Sequence, residues 1–526
     1  MCGICGKISY GPDPIKESLI TKMCGAFEYR GPDDRGIYTK TAALGNGNQI
    51  HVGLGHQRLS IIDLSHAGQQ PMSNEDGSVW ITFNGEIYNF KEVRSKLEEK
   101  GHTFRSDTDT EVIIHLYEEK GFDTLKHLNG MFAFAIWDEK KKRLWACRDR
   151  AGIKPLVYFW NGNNFIFASE IKALLKDPII SKELNYDALT LYLAFNYIPS
   201  PHTIFKGIKK LRPGQFLILQ NNELEVKEYW NTPKNIETGT SSLPFSKQKE
   251  IFKGRLYSNL DSAVTSRMNA DVPLGAFLSG GIDSSVIVAL MARNSVKPIK
   301  TFSIGFKNEN LFDETHYARE VANLYHTDHH EFFISARDLL DVFVNVLSTF
   351  DEPFADSSAI PSFLVSRKTG DHVTVALSGD GGDELFGGYR SYLGEYWYPK
   401  YMLVPTLLRK LIFEKLVQLL PDSRDNKLLE YNRRIKKFIK GSKGSFSERQ
   451  LSLKEVFPQK IRQKILMNHY QMNNSHTEDP ALIWIKNLLQ DYKGDTINRI
   501  LYSDFKDSLP GDMLTKVDWM SMKNSL

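Results

Sequence analysis

The alternation of apolar and polar positions divides the chain into two parts with different periods. Through roughly the first 180 residues, short apolar runs at 50–53, 79–83, 131–137, 143–147 and 165–168 are bounded by Gly, Asn and Asp, the pattern of strands between turns. Helix-period segments at 91–100 and 110–121 interrupt them, which predicts sheets with helices packed outside. A helix at 182–197 leads into Pro199-Ser200-Pro201, read as a hinge, and 211–229 reads as a closing hairpin or strand pair. Residues 232–247, rich in Thr, Ser, Lys and Pro, read as an exposed linker.

After residue 248 helices and strands take turns. Helix 249–268, strand 272–278, helix 286–293, strand 299–306, helix 314–325, strand 330–334, helix 338–350 and strand 373–377 predict a parallel sheet of Rossmann-like type. Residues 390–500 read as mostly helical. The apolar stretch 401–420 is interrupted by Arg409, Lys410, Glu414 and Lys415 and reads as one or two amphipathic helices. Neither an internal repeat nor a low-complexity tract occurs.

Length and composition narrow the class. A chain of 526 residues suggests about two to four domains. A net charge of +4 over this length argues neither for a nucleic-acid machine nor for a halophile-like surface. The start Met1-Cys2-Gly3-Ile4-Cys5-Gly6-Lys7 lacks the pattern of a secretory signal, and no apolar run of about 18 residues is present, so neither secretion nor a membrane span is expected. Four cysteines do not make a disulfide framework, which leaves the cytoplasm as the expected location.

The most specific local signal is Ser279-Gly280-Gly281-Ile282-Asp283-Ser284-Ser285, between a predicted strand and a predicted helix. Two glycines let backbone approach an anion, and a helix start with free N–H groups favours negative charge. Asp283 in such a loop would repel phosphate unless a divalent cation bridges them, so it reads as a Mg2+ ligand. A Walker A ending is missing. The plainer reading is a Gly-rich turn with Ser as N-cap. A second loop, Ser378-Gly379-Asp380-Gly381-Gly382-Asp383-Glu384, follows the strand at 373–377. Ligands sit beyond the carboxyl ends of strands in open parallel sheets, so Asp283 and Asp383 could share one metal–pyrophosphate group.

At the other end, removal of Met1 would give Cys2 its own α-amine, with a reference pKa near ~8, as a base for the thiol. Bland readings are a buried inert thiol or a Cys2–Cys5 redox spacing. Arg58 precedes an apolar run and could clamp a carboxylate. Asn84-Gly85-Glu86 offers an amide donor and an accessible backbone N–H, the two parts of an oxyanion hole. Ser106-Asp107-Thr108-Asp109-Thr110-Glu111 reads first as an N-cap, with Asp109 a candidate for an ammonium group. His326, His329 and His330 read as turn and strand residues, and Cys24 and Cys147 as core thiols.

Cys2-Gly-Ile, Arg30-Gly-Pro-Asp-Asp34, the Arg58 segment, Asn84–Glu86 and Ser106–Glu111 together resemble a class II glutamine amidotransferase domain. With Ser279–Ser285, Asp351-Glu-Pro-Phe-Ala-Asp-Ser-Ser358 and Ser378–Tyr389 in this order, the whole chain resembles the glutamine-hydrolysing asparagine synthetases. The resemblance implies an α/β protein: an αββα glutaminase sandwich over 1–210, closing strands and linker over 211–247, and a Rossmann-like ATP-pyrophosphatase domain with helical additions over 248–526. It implies that Cys2 attacks the glutamine amide while Asn84 and Gly85 hold the oxyanion. Arg58 would bind the α-carboxylate, with Leu59, Ser60, Ile61 and Ile62 lining the site and Glu86 and Asp109 near the α-amine.

For the second domain, the resemblance puts Phe277, Ile304, Ser378 and Gly379 with Ser279, Gly280, Gly281, Ser284 and Ser285 around ATP. Asp283 and Asp383 would hold Mg2+ and pyrophosphate, and Asp380 would act in the adenylate step. Ammonia would cross an internal tunnel to β-aspartyl-AMP, giving asparagine, AMP and pyrophosphate. The implied partners are glutamine, aspartate and ATP, with a homodimer common in such enzymes and no nucleic acid or membrane involved.

Two departures keep alternatives open. Asp380 stands where some members have Glu, which points to another carboxylate acceptor such as a surface-sugar acid. After Asp518-Trp-Met-Ser-Met-Lys-Asn-Ser-Leu526 the family's Glu-x-Arg-x-Pro-Phe-Leu-Asp-like segment and a later Lys do not follow, so the sequence reads as a fragment, or as a glutaminase-only or scaffolding paralogue. A tRNA-modifying role resting on Arg433, Arg434, Lys436, Lys437, Lys440 and Lys443 is the weaker reading, because such clusters mark solvated helix faces.

Overall fold

The computed structural model describes residues 2–44, 48–234, 243–307, 313–409, 414–421, 427–467 and 478–526. Residues 235–242 of the expected linker and Lys410 lie outside the described residues. In the N-terminal half the strands are β1 (Gly3–Ser9), β2 (Asp34–Ala43), β3 (Gln49–Arg58), β4 (Met72–Ser73), β5 (Val79–Ile87) and β6 (Gly130–Asp138). They continue with β7 (Arg143–Arg148), β8 (Val157–Trp160), β9 (Asn164–Ala168), β10 (Ile208–Lys210), β11 (Gln215–Gln220) and β12 (Glu223–Glu228). Two six-stranded antiparallel sheets result, in the orders β10-β8-β9-β1-β3-β2 and β12-β11-β7-β6-β5-β4.

Strand β6 shows why the sheets stack. Its side chains alternate, so Phe132, Phe134 and Ile136 face one core while Ala133, Ala135 and Trp137 face another. The second face meets Ile4, Ile8, Val52 and Leu54 of the other sheet. The first is covered by helices Phe90–Glu98 and Glu111–Lys120, through Phe90, Val93, Leu97, Val112 and Tyr117. Helix Glu17–Gly25 covers the outer face of the other sheet through Ile20, Met23 and Cys24. The layers therefore run helix, sheet, sheet, helix. The hairpin expected at 211–229 extends the second sheet, because β11 pairs with β7.

The C-terminal half carries β13 (Leu274–Phe277), β14 (Lys300–Phe306), β15 (Asp328–Ile334) and β16 (Val375–Leu377), parallel and in the order β15-β14-β13-β16. Helices Phe245–Arg267, Ile282–Arg293 and Thr315–Tyr325 cover one face around Val264, Val288, Met291 and Ala318. Helices Ala336–Thr349, Ala359–Gly370 and Leu514–Met522 cover the other around Val342, Val346, Phe363 and Trp519. Among the described residues, no helix is long and apolar enough to cross a membrane.

Several boundaries differ from the pattern reading. The helix expected at 182–197 spans Tyr186–Phe195: the Asn185 side chain caps its start by accepting from Ala188 N, and Asn196 ends it in the left-handed region at φ 68°. The helix expected from 286 begins at Ile282, so Asp283, Ser284 and Ser285 occupy its first turn. The described part of 401–420 breaks into the end of helix Arg390–Met402 and the short helices Thr406–Leu408 and Glu414–Leu419.

The two halves meet through buried charge. Arg30, from the first half, bonds Glu170 and donates to Asp518 Oδ2 at 2.6 Å; Lys154 Nζ reaches Asp518 Oδ1 at 2.9 Å. Lys172 N donates to Asp351 Oδ2 at 3.0 Å, and Tyr197 Oη donates to Asp507 Oδ2 at 2.8 Å.

Candidate active site

The first site lies where β1, β3 and β5 converge. Cys2 stands one residue ahead of β1 and donates its backbone N–H to Asn84 Oδ1 at 3.1 Å. Asn84 is fully buried, and its amide nitrogen Nδ2 has no hydrogen-bond partner. A buried donor left without a partner costs about 1–3 kcal/mol, so the arrangement favours an incoming oxygen.

The backbone of β5 supplies a second donor. Phe83 N donates to Gln70 Oε1 at 2.7 Å and Ile87 N to Asp109 Oδ2 at 2.7 Å, both on the edge turned away from β6. Gly85 lies midway between them, and the two-residue period turns its N–H to the same edge. It must be glycine, because a Cβ there would sit inside the carbonyl of Met131.

Arg58 ends β3. Its guanidinium donates to Ser65 O at 2.8 Å and to Asp63 O, which leaves three of about five N–H donors for other use. The loop that it holds is folded inward by Asp63, whose carboxylate accepts from Ser65 N at 3.0 Å and Asp107 N at 2.9 Å. One half-open cavity is lined by Cys2, Arg58, Leu59, Ile61 and Ile62, and on its far side by Gly85, Glu86 and Asp109. Ser60 does not line it: its N–H donates to Asp33 Oδ2 at 2.8 Å, on the other side of the loop.

Burial raises the Cys2 thiol, against the pull of the chain's α-amino group, Arg58 and Lys154. The imidazole of His56 is buried and held neutral, its pKa lowered to about 3, so it is no strong base for the thiol. Burial pushes Asp109 up to about 8 against the hydrogen bond from Ile87 N, and Glu86 adds to the rise. Burial raises Glu86 as well. Two facing carboxyls with raised pKa values fit a cationic guest, since an ammonium group would let both ionise.

Segment 106–111 departs from the expected N-cap. Helix Glu111–Lys120 has Thr110 at its start with no side-chain cap bond. Glu111 turns back instead and accepts from Arg105 N, Ser106 N and Ser106 Oγ at 2.9, 2.9 and 2.6 Å. Gln70 also lines the cavity and was missed by the pattern reading. Besides holding Phe83, it donates to Thr110 Oγ1 at 3.1 Å and ties segment 106–111 to β5.

The second site lies beyond the carboxyl ends of β13 and β16. Gly281 caps helix Ile282–Arg293, and the loop closes on itself: Gly281 N donates to Ser279 Oγ at 3.2 Å, and Ser279 Oγ meets Ser284 Oγ at 3.0 Å. Gly280 has φ +81°, and a Cβ there would lie 2.5 Å from Tyr317 Cβ, so only glycine fits. A cavity of about 470 Å³ opens beside the loop. Phe277, Ser279, Asp283, Ser284 and Ile304 line it from one side, and Ser378, Gly379 and Asp380 from the other.

Gly280, Gly281 and Ser285 do not line the cavity, and the Ser285 hydroxyl is turned onto Gly281 O at 2.7 Å. The two loops touch: a Cβ on Gly382 would be 2.6 Å from Asp283 Cγ, and one on Gly379 2.9 Å from Ser284 N. Asp383 also falls outside the lining set, but it faces Asp283 closely enough to feel its charge. Burial raises the Asp383 carboxyl first, and Asp283 raises it further. Two carboxylate oxygen donors set this close fit a hard divalent cation. Asp380 is exposed and accepts from Ser378 Oγ at 2.6 Å.

Lys516, which the sequence reading missed, lines the same cavity and donates to Asp356 Oδ2 at 2.9 Å and Ser358 Oγ at 2.7 Å. Burial, with the charge of Asp356, holds the nearby Asp512 carboxyl up to about 7.

Comparison with known proteins matches the two halves to different families. Residues 1–230 match a family model described as glutamine amidotransferase domain, and residues 255–526 one described as asparagine synthase. A Methanocaldococcus jannaschii protein, provisionally named asparagine synthetase (glutamine-hydrolyzing) 2, is 42% identical over 78% of this chain and 79% of its own. Asparagine synthetase (glutamine-hydrolyzing) 1 of Bacillus subtilis is 35% identical over 100% of this chain and 78% of its own. An amidase of Gibberella zeae is 32% identical over 72% of this chain and 56% of its own.

Proposed function

Because this chain belongs to the glutamine-hydrolysing asparagine synthetases, enzymes of ATP-driven, glutamine-dependent amidation, we propose that it amidates aspartate through β-aspartyl-AMP. The observation that carries the reading is the unpartnered Asn84 amide beside Cys2, in a chain whose other half sets two aspartates against a serine- and glycine-rich loop.

In the first site Cys2 Sγ attacks the side-chain amide carbon of glutamine. Asn84 Nδ2 and Gly85 N–H receive the oxyanion, and ammonia leaves with the proton given up by the thiol. Once Met1 is removed, the α-amine of Cys2, which Asn84 Oδ1 holds, relays that proton. Arg58 takes the α-carboxylate, and Glu86 with Asp109 takes the α-ammonium group. Water then cleaves the thioester to glutamate.

In the second site the β-carboxylate of aspartate attacks the α-phosphorus of ATP and expels pyrophosphate. Ammonia, carried along the interface between the halves, attacks the acyl carbon and AMP leaves. Asp283 and Asp383 would hold Mg2+, which when bound offsets the charge of the pyrophosphate oxygens. Ser279, Ser284 and Lys516 line the same cavity and would face the phosphates.

The test is pyrophosphate release with ATP, Mg2+, glutamine and aspartate against the same mixture without aspartate. Aspartate-dependent release with asparagine formed supports the reading; glutamate formation without pyrophosphate sinks it. A second acceptor class is favoured by the likeness to the Gibberella zeae amidase and by Asp380 in its shorter form. Pyrophosphate release that appears only with another carboxylic acid would select it.

A further inference from the structure

A group of ligand-type side chains lies in the first half, apart from both cavities. One carboxylate oxygen of Glu75 and one ring nitrogen each of His102 and His115 lie within 4.8 Å of one another. Among the described residues, no other group of three His, Cys, Asp or Glu side chains converges this closely. The three come from different segments: Glu75 from the turn before β5, His102 from the loop after helix Phe90–Glu98, and His115 from helix Glu111–Lys120. None of them lines either cavity.

His115 is the inner member. Its ring is buried, edge-on to Phe104 at 4.8 Å and beside the His102 ring at 4.8 Å. Nδ1 stands 2.9 Å from Glu118 Oε2 and 3.9 Å from Glu75 Oε2. Nε2 has no hydrogen-bond partner and faces Glu111 Oε1 at 3.8 Å. That is the usual disposition of a ligating imidazole, with one nitrogen among the donors and the other toward a carboxylate. Glu118 is itself oriented, because its Oε1 accepts from Asn74 Nδ2 at 2.6 Å. His102 lies nearer the surface, its Nε2 3.3 Å from Glu119 Oε1. Ligand atoms around a tetrahedral Zn2+ lie about 3.4 Å apart, and the exposed Glu75 side chain can close the remaining gap by rotating. Burial works to lower the His115 pKa, yet Glu111, Glu118 and Glu75 lift it to about 9, so a proton is the guest that a metal would displace.

We propose that Glu75, His102, His115 and Glu118 bind one divalent transition ion of the Zn2+ class. Two imidazoles with two carboxylates suit such an ion better than Mg2+ or Ca2+, which prefer oxygen alone. Four protein donors make a closed site, and the role is structural. The ion ties the turn before β5 and the loop after helix Phe90–Glu98 to helix Glu111–Lys120. Glu111, the first residue of that helix, holds Arg105 N and Ser106 N, so the tie lies behind the segment that carries Asp109. The proposal stands apart from the functional reading above and does not need it.

The experiment titrates Zn2+ into the metal-free full chain by calorimetry, in a Cys2→Ala, Asp283→Asn background that removes rival donors in the two cavities. One equivalent should bind with a Kd of about 10 µM or tighter. At Zn2+ about 100-fold above that Kd, the melting temperature should rise by about 5 °C or more. His102→Ala and Glu75→Gln should each weaken binding at least about tenfold and cut the thermal shift. Glu75 is exposed, so Glu75→Gln decides the question if His102→Ala destabilises the chain. Co2+ in place of Zn2+ should show the visible bands of four-coordinate nitrogen and oxygen ligation. Weaker binding, binding that both variants leave unchanged, or a melting temperature indifferent to Zn2+ overturns the site and leaves a protonated His115 held by its carboxylates.

Discussion

The backbone N–H of Cys2 and the side-chain oxygen of Asn84 are 3.1 Å apart, and this one bond fixes which face of the Asn84 amide is left open. With Oδ1 engaged by Cys2, Nδ2 is the free donor.

Asn84→Ala should therefore lower the kcat of glutamine hydrolysis by about 10²–10³, the usual cost of one oxyanion donor. Synthesis driven by added ammonia should keep its rate. Parallel assays with the two nitrogen sources check this; an equal loss in both would mean that the substitution had damaged the fold.

The pH dependence of glutamine binding should follow Asp109. Below its pKa of about 8 the buried carboxyl holds a proton and offers no charge to an α-ammonium group; above it the ionised form does. The KM for glutamine should fall as pH rises through that value, and Asp109→Asn should remove the fall and leave binding weak throughout. The groups facing the same guest are Glu86, Arg58 and the chain's α-amino group, so the profile is compared with that of Glu86→Gln.

Asp283→Asn should have opposite effects on the empty and loaded protein. Removing one of two facing carboxylates relieves the repulsion that helps raise Asp383, so the empty chain should melt at a slightly higher temperature. Stabilisation by ATP–Mg2+ should be lost and pyrophosphate release abolished, with glutamine hydrolysis retained. Melting curves with and without ATP–Mg2+ give both readings.

Gly280→Ala should cost about 1–3 kcal/mol of stability, from a left-handed backbone at φ +81° and a Cβ pressed onto Tyr317. Urea unfolding measures it. Gly281→Ala is the control, since its backbone is extended at φ −67° and the contact nearest its Cβ position, Ser279 Oγ at 3.3 Å, is a side-chain atom.

What the sequence revealed depended on burial. The runs at 131–137 and 143–147 were legible as strands because β6 and β7 are buried on both faces. Strand β2 was missed: it is an edge strand, largely open to solvent, and its polar residues leave no period to read. Strand β1 was missed because Gly3 and Gly6 break its apolar run.

The sites divide the same way. Cys2, Asn84 and the two glycine-rich loops carry their chemistry in consecutive residues and could be named from the sequence. Gln70 and Lys516 belong to no such run, and only tertiary packing brings them to the cavities. Ser60 sits inside a motif, yet its N–H is turned to Asp33 and it does not line the cavity.

The buried charges between the halves bear on how this protein can be taken apart. Family likeness changes between residues 230 and 255, which invites expression of either half alone. A cut there would leave Lys154 and Arg30 without Asp518, and Lys172 without Asp351. Arg30 would keep Glu170, but Lys154 and Asp518, both buried in the joined molecule, would lose each other and come to solvent. The line drawn by ancestry is thus not a line along which the molecule divides: either fragment would bring to solution a face shaped for a neighbour it no longer has.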